Sequence, residues 1–369
     1  MANAGLISLV PSVGKLSPAF VSTTLAYAER LNDSTHAIRL TPVVADSAAT
    51  VKVNGIAVAS GTASSSIPLH VDSNLINTVV TAQDGVTTKT YQLIVTVSVD
   101  PSVSGYYTGL ATPTAAATNP ARQVGLGAVS VLPTGAYTGK LKLGGSSTPV
   151  GISGTFINST ATVDIVRTGL PALTLTMNLS GDVITGTLSE NATAVSTLLF
   201  NKLLYTSAVP AVAPLMNVPQ SILNPATDKG SYAGIFRALT PSQQGLAATA
   251  YPQGSGWMTM KVDSSGLVTV SGKLGDGQAV SYSNYLSKDN VLPLYIPVYG
   301  TGAVSGLVRF RDVPAQSDVD GLGLKWFKPA NGADTACRNG WPSGIKVDLI
   351  GSKFEPQPNR QPEWTTEAR

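Results

Sequence analysis

Alternation with a period of two is the feature that most constrains this chain. Tyr91, Leu93, Val95 and Val97 fall on one face of an extended segment, with Gln92, Ile94 and Thr96 between them. Side chains of a strand point to opposite faces in turn, so this pattern describes a half-buried strand. Ala49 to Val53 is followed by Asn54-Gly55 and then Ile56-Ala57-Val58. Asn-Gly between two apolar runs predicts a hairpin, because a type I′ turn needs positive φ at both central residues. Ile67, Leu69 and Val71 alternate, Ile76 to Thr81 follows, and Asp84-Gly85 turns into the Tyr91 strand. No window of about 11 residues carries a helical period anywhere in the chain. The expected fold class is therefore all-β, with an immunoglobulin-like sandwich over residues 1–99.

The pieces Leu16-Ser17-Pro18-Ala19-Phe20, Tyr27, Thr41-Pro42, Ala45 to Gly55, and Thr81-Ala82-Gln83-Asp84-Gly85 through Thr88-Lys89-Thr90-Tyr91 cover nearly all of this first segment. On them it resembles the bacterial cadherin-like β-sandwich domain. The resemblance implies a spacer or adhesion module of large secreted or surface-attached proteins, without an activity of its own. Calcium is not expected at the junction Val97-Ser98-Val99-Asp100-Pro101, which offers one carboxylate where calcium takes about six to eight oxygen ligands.

From Ser104 the chain repeats itself with a period of roughly 125 residues. Gly105 to Leu110 (GYYTGL) returns as Gly230 to Ile235 (GSYAGI), and Gly125-Leu126-Gly127 as Gly254-Ser255-Gly256. Gly139-Lys140-Leu141 returns as Gly272-Lys273-Leu274, and Thr185 to Leu188 as Ser305 to Val308. Each half reads as a meander of about six strands. Too few to close comfortably alone, they are expected to share one pseudo-symmetric antiparallel barrel or sandwich spanning 104–354, which would remove exposed edges. The halves are placed at 104–208 and 229–354. A Pro-rich linker at 209–228 joins them, and 355–369 reads as a polar tail or linker. The second half also resembles a recurrent domain of large secreted proteins of environmental bacteria, on Gly272 to Gly277, Pro293-Leu294-Tyr295, Gly306 to Phe310, Leu324 to Pro329 and Gly351 to Phe354. That resemblance implies no activity.

Composition excludes several classes. Hydrophobic residues at 43% suffice for packed cores, and charged residues at 12% are too few for a disordered chain. Residues 1–99 carry five basic and five acidic side chains, so the net charge of +3 lies downstream. It is spread rather than clustered, which speaks against nucleic acid as a partner. No stretch approaches the ~18 apolar residues of a membrane helix. The start, Met1-Ala2-Asn3-Ala4-Gly5-Leu6, lacks the basic and apolar regions of a signal peptide. The expected location is nevertheless secreted or cell-surface, with a leader replaced by the initiator Met.

Chemistry is scarce. The single cysteine, Cys337, cannot form an intrachain disulfide and has no histidine near it in sequence to activate it. The two histidines, His36 and His70, both fall in the sandwich; His70 should face solvent and His36 should share a face with Ile38 and Leu40. A triad or zinc site in the duplicated region is not expected. Asp263, Asp276, Asp289, Asp318 and Asp320 could supply the carboxylate pair of a glycoside hydrolase. Most adjoin Gly, Ser or Asn, where Asp builds turns. Asn158-Ser159-Thr160 and Asn191-Ala192-Thr193 match the glycosylation pattern.

Aromatic residues gather in the second half, and Tyr282, Tyr285, Trp326 and Trp341 are the candidate glycan-binding residues; ordinary core packing is the competing reading. These readings point to a non-enzymatic extracellular structural or adhesion protein without cofactors or metal, whose partners are other copies of itself or surface glycans. The alternatives are a carbohydrate-binding module and a carboxylate-only glycan-active enzyme.

Overall fold

The computed structural model describes residues 2–353, apart from residues 33, 99–100, 145, 147, 168, 204, 206–229, 312–316 and 335–336. The expected linker and tail therefore lie outside the described residues.

The first domain is the expected sandwich. Its strands are β1 (Leu6–Pro11), β2 (Ala26–Asn32), β3 (Ala37–Ile38), β4 (Leu40–Val44), β5 (Thr50–Val53), β6 (Ile56–Val58), β7 (Ile67–Pro68), β8 (Asp72–Thr81) and β9 (Thr88–Ser98). They form a five-stranded sheet, β2-β9-β8-β5-β6, and two ribbons, β1-β4 and β3-β7. The alternation in β9 does what it implies: Tyr91, Leu93, Val95 and Val97 are buried, while Ile94 is exposed. Asn54 (φ 48°) and Gly55 (φ 82°) make the β5–β6 turn, both in the left-handed region that Asn-Gly favours. The Tyr91 hydroxyl accepts from the Leu6 N–H (2.9 Å) and donates to the Ser22 carbonyl (3.1 Å), tying β1 and the loop before β2 to the sheet. The strand expected over Ile67 to Val71 shortens to the two residues of β7, although Leu69 still reaches the core.

The duplicated region differs from expectation in how it closes. Barrel 1 contains β10 (Gly105–Pro113), β11 (Gly125–Val131), β12 (Ala136–Leu143), β13 (Val150–Thr155), β14 (Thr160–Arg167), β15 (Leu170–Ser180), β16 (Val183–Glu190) and β17 (Thr193–Lys202). Barrel 2 contains β18 (Ser231–Ala238), β19 (Gly256–Val262), β20 (Leu267–Lys273), β21 (Ala279–Tyr285), β22 (Val291–Val298), β23 (Gly302–Phe310), β24 (Val319–Lys328) and β25 (Trp341–Lys353). Each is an eight-stranded antiparallel meander whose first strand pairs with its last. Each stays open at one seam, between its fourth and fifth strands: β13/β14 in barrel 1 and β21/β22 in barrel 2. One-turn helices α1 (Pro120–Gln123) and α2 (Pro241–Gln244) follow the first strand of each barrel.

The single shared core expected from about six strands per half is thus corrected to two separate cores. Eight strands in each half give an interior that its own side chains fill, so each half closes round a core of its own. The missed strands break the alternation: β13 (VGISGT) carries two glycines and β22 (VLPLYIPV) is buried on both faces.

Both interiors are filled. Tyr232 meets Phe310 edge-on at 5.0 Å in barrel 2, and Tyr137 packs against Phe156 at 5.1 Å in barrel 1. Inward-facing Gly127 makes room for the ring of Phe200, which lies 2.2 Å from where a Cβ would stand. Gly127→Val should therefore overpack barrel 1 and cost about 1–3 kcal/mol or more. Urea unfolding followed on the full chain should show an earlier transition for that barrel; an unchanged midpoint would show that Phe200 yields freely.

Candidate functional site

The four aromatics singled out from sequence do not form a stacking surface among the described residues. Trp326 and Trp341 point into barrel 2, buried and T-shaped to each other at 4.8 Å. The reason is register: Trp326 pairs with Val304 on β23 and Ile345 on β25, both buried inward positions. Tyr282 lies at the seam, where its hydroxyl donates to the Pro293 carbonyl, and burial raises its pKa well above the usual phenol value. Tyr285 alone is exposed, on the outer face of β21. The aromatic signal in the sequence belongs to packing and to the seam.

The structure instead assembles a buried charge cluster at one end of barrel 2, of whose members the sequence reading singled out only Asp276, as a turn residue. Lys328, the last residue of β24, places its Nζ 2.8 Å from Asp276 Oδ2 and 2.7 Å from Asp334 Oδ2. Asp276 sits in the β20–β21 turn, where its Oδ1 also accepts from the Gln278 N–H, as a turn aspartate does. Tyr299, in the β22–β23 turn, donates its hydroxyl to Asp276 Oδ2 at 2.6 Å. The ammonium also lies over the rings of Tyr299 (4.9 Å) and Trp341 (5.3 Å). Burial pulls the Lys328 pKa down, but the hydrogen bonds and charges of Asp276 and Asp334 outweigh it, and the net shift is upward. Tyr299 is pushed up by burial and then by the Asp276 carboxylate.

Three chain segments are thereby clamped across the barrel end. Chemically this is a plug: both carboxylates are committed to one ammonium. Cys337 joins the same end, with its backbone N–H on Asp334 Oδ1 (2.8 Å), and burial raises its thiol pKa. A thiol so held is protonated, the opposite of an activated nucleophile.

The other flagged carboxylates have structural partners too. Asp263 Oδ1 accepts from Ser265 and Leu267 N–H groups, Asp318 from the Lys353 N–H, and Asp320 pairs with Arg311 at 2.9 Å. Asp289 occupies a left-handed turn (φ 65°). His70 is exposed as expected; His36 is exposed as well, and does not share the buried face of Ile38 and Leu40. Asn158 and Asn191 stand in tight turns at positive φ (51° and 48°), a turn signal that the glycosylation pattern concealed. No helix among the described residues is long and apolar enough to cross a membrane.

The second feature is a groove of about 600 Å³ between the barrels. Thr259, Ser271, Ser281 and Ser283 line it from the outer faces of β19, β20 and β21, with Lys261, and Lys142 comes from barrel 1. No carboxylate is among its lining residues. The barrels meet beside it. Leu110, Ala121, Val124 and the edge of Leu126 pack against Tyr295, Ala303 and Phe327 of barrel 2. Burial pushes the Tyr295 pKa up to about 12. Asn284 Nδ2 donates both to the Pro293 carbonyl (3.2 Å) and to Thr108 Oγ1 of barrel 1 (3.3 Å).

Residues 6–98, the first domain, match the family model of the cadherin-like beta sandwich domain. A protein of Evansella cellulosilytica named "Putative membrane protein" is 39% identical over 85 residues, which are 23% of this chain and 13% of that protein. The chain thus spans only a small part of the length of that relative. A crystal structure of a protein of unknown function from the DUF3598 family of Nostoc punctiforme covers 68% of this chain and 96% of its own, at 9% identity and a TM-score of 0.21.

Lys328→Met should cost about 3–5 kcal/mol, because it takes from the partly buried carboxylates of Asp276 and Asp334 the ammonium they share. Upward shifts at Lys328 and Tyr299 mean that the folded state holds protons the unfolded state has released. Stability should therefore fall as pH rises past the ordinary values of 10.0 for tyrosine and 10.5 for lysine. Denaturant midpoints measured from pH 7 to the alkaline limb should show this decline in the wild type and a shallower one in Lys328→Met. Equal slopes would remove the cluster from the account.

Proposed function

We propose that this chain is a non-enzymatic extracellular structural or adhesion protein: a surface spacer, or a component of a matrix or filament. The observation that carries the proposal is a cadherin-like sandwich in series with two barrels whose interiors are filled by their own side chains. A barrel packed to its axis is a stiff body, and it offers its surroundings only its outer faces. The polar groups that could have served chemistry are engaged in holding loops together, as in the Lys328 cluster. Antibody labelling of intact cells of the source organism should reach the protein without lysis, and deletion of the gene should weaken cell–cell or cell–surface adhesion. Labelling only after lysis would overturn the reading.

The inter-barrel groove favours a second reading, a binding module for an acidic polysaccharide. Its hydroxyl row can hydrogen-bond sugar hydroxyls, and Lys142 and Lys261 supply positive charge without a lining carboxylate. Calorimetry should then show binding of alginate or pectate that weakens with salt and falls about tenfold in the double variant Lys142→Ala, Lys261→Ala. Equal binding of neutral dextran, or no loss in the variant, would sink it.

A further inference from the structure

The inter-barrel groove has two walls, and strand pairing carries both beyond the residues that line it. On the barrel 2 wall the outer rows run Thr259–Ser271–Ser281, then Lys261–Thr269–Ser283, then Leu267–Tyr285. On the barrel 1 wall, across β10, β11 and β12, they run Leu110–Leu126–Lys142, then Thr108–Ala128–Lys140, then Tyr106–Ser130–Thr138. β10 lies at the join. Leu110 is covered by barrel 2, and Thr108 accepts from Asn284 of β21. Tyr106 comes next on that face and is 43% exposed. Burial raises its pKa and Tyr285 raises it further, so the two phenols lie in each other's field. A second hollow, of about 330 Å³, is lined by Tyr106, Ser130, Thr138 and Lys140. Lys142 lines the first hollow and Lys140 the second; the two alternate on one face of β12, about 7 Å apart.

Both walls carry one sign of charge. β10, β11, β12, β19, β20 and β21 hold no acidic residue, and they hold Lys140, Lys142, Lys261 and Lys273. Among the described residues no carboxylate forms an ion pair with any of these four lysines. The turn aspartates nearby in the chain are engaged: Asp263 accepts from the Ser265 and Leu267 N–H groups, Asp276 is paired with Lys328, and Asp289 adjoins Lys288. Folding thus gathers from two distant segments a basic cleft that the even spread of charge along the sequence hides. An acidic polymer is the partner such a cleft attracts. The rows of Ser and Thr hydroxyls match the hydroxyls of sugar rings, and exposed tyrosines match their apolar faces. The exposed rings of the walls are Tyr106 and Tyr285 toward one end and Trp257 toward the other, with hydroxyl rows between. A single nucleic-acid strand would need rings for successive bases there.

On the reading of the groove as a site for an acidic polysaccharide, we infer that it has a second subsite, formed by Tyr106, Tyr285 and Lys140, and that it holds a run of uronate residues rather than a single sugar. One carboxylate of the polymer meets Lys142 and Lys261 in the first hollow. A further carboxylate meets Lys140, with a pyranose ring stacked on the exposed tyrosines. Two weak contacts on one polymer reinforce each other, because the second forms within reach of the first. Calorimetry of the full chain with galacturonate oligomers of defined length should show the hexamer binding about tenfold tighter than the dimer, or more. Tyr106→Ala and Lys140→Ala should each lower that ratio several-fold, whereas Lys142→Ala should weaken both ligands and keep the ratio. Circular dichroism and the melting midpoint report whether each variant folds. Where Tyr106→Ala disturbs the barrel contact, Tyr285→Ala, at an exposed position, carries the same test. A ratio near one in the wild type, or a ratio unmoved by the Tyr106, Tyr285 and Lys140 variants, overturns the second subsite while the reading of the groove stands. Failure of both oligomers to bind overturns the two together. Tighter binding of oligothymidylate than of the hexamer also overturns both, in favour of single-stranded nucleic acid.

Discussion

The unpaired seam is the constraint around which the rest of the duplicated region is arranged. A meander of eight strands that pairs its first strand with its last leaves two edges facing each other across one gap. Every backbone N–H and C=O along those edges needs a partner or water. In barrel 2 the gap between β21 and β22 is bridged by side chains, with Tyr282 and Asn284 both donating to the Pro293 carbonyl. Proline at 293 and 297 also removes edge donors that would otherwise need satisfying. Barrel 1 then leans on the same place, and β22 is buried on both faces as a result. The inter-barrel contact, the groove beside it and the burial of Tyr282 and Tyr295 all follow from covering one seam.

Much of this was legible in the chain, and the failures have physical causes. Alternation located β8 and β9 because each has one wet face and one dry face. It missed β22 because a strand covered on both sides has no alternation to show. It missed β13 because glycine carries no side chain to alternate. The repeat itself was visible, but its register was not. The strand pairing matches Lys142-Leu143-Gly144 with Lys273-Leu274-Gly275, two residues from the alignment of Gly139-Lys140-Leu141 with Gly272-Lys273-Leu274. A shift of two keeps every side chain on its face, so periodicity cannot detect it. The match of Thr185 to Leu188 with Ser305 to Val308 joins a seventh strand to a sixth, β16 to β23.

The candidate site was less legible than the fold, for a related reason. Asp276, Tyr299 and Asp334 lie on three different connections and Lys328 ends β24, and nothing local marks them as partners. Asp276 even satisfies the turn reading completely with one carboxylate oxygen, while the other carries the ion pair. Tryptophan misled in the opposite direction. Trp326 and Trp341 advertise a surface by composition, yet register turns both inward. Among the described residues, the tryptophan that does reach solvent is Trp257, which opens an alternating strand and reads as an ordinary strand residue.

The two barrels diverge most where their ends are sealed. At the end of the seventh strand barrel 1 has Glu190, paired with Arg167 at 3.0 Å, where barrel 2 has Lys328 between two aspartates. The sign of the terminal charge is reversed while its task, tying neighbouring loops, is kept. The longer β24–β25 connection supplies Asp334 and Cys337 to barrel 2, whereas Asn191 and Ala192 close the β16–β17 hairpin directly. Filled interiors tolerate such change at the ends because the core below is already complete.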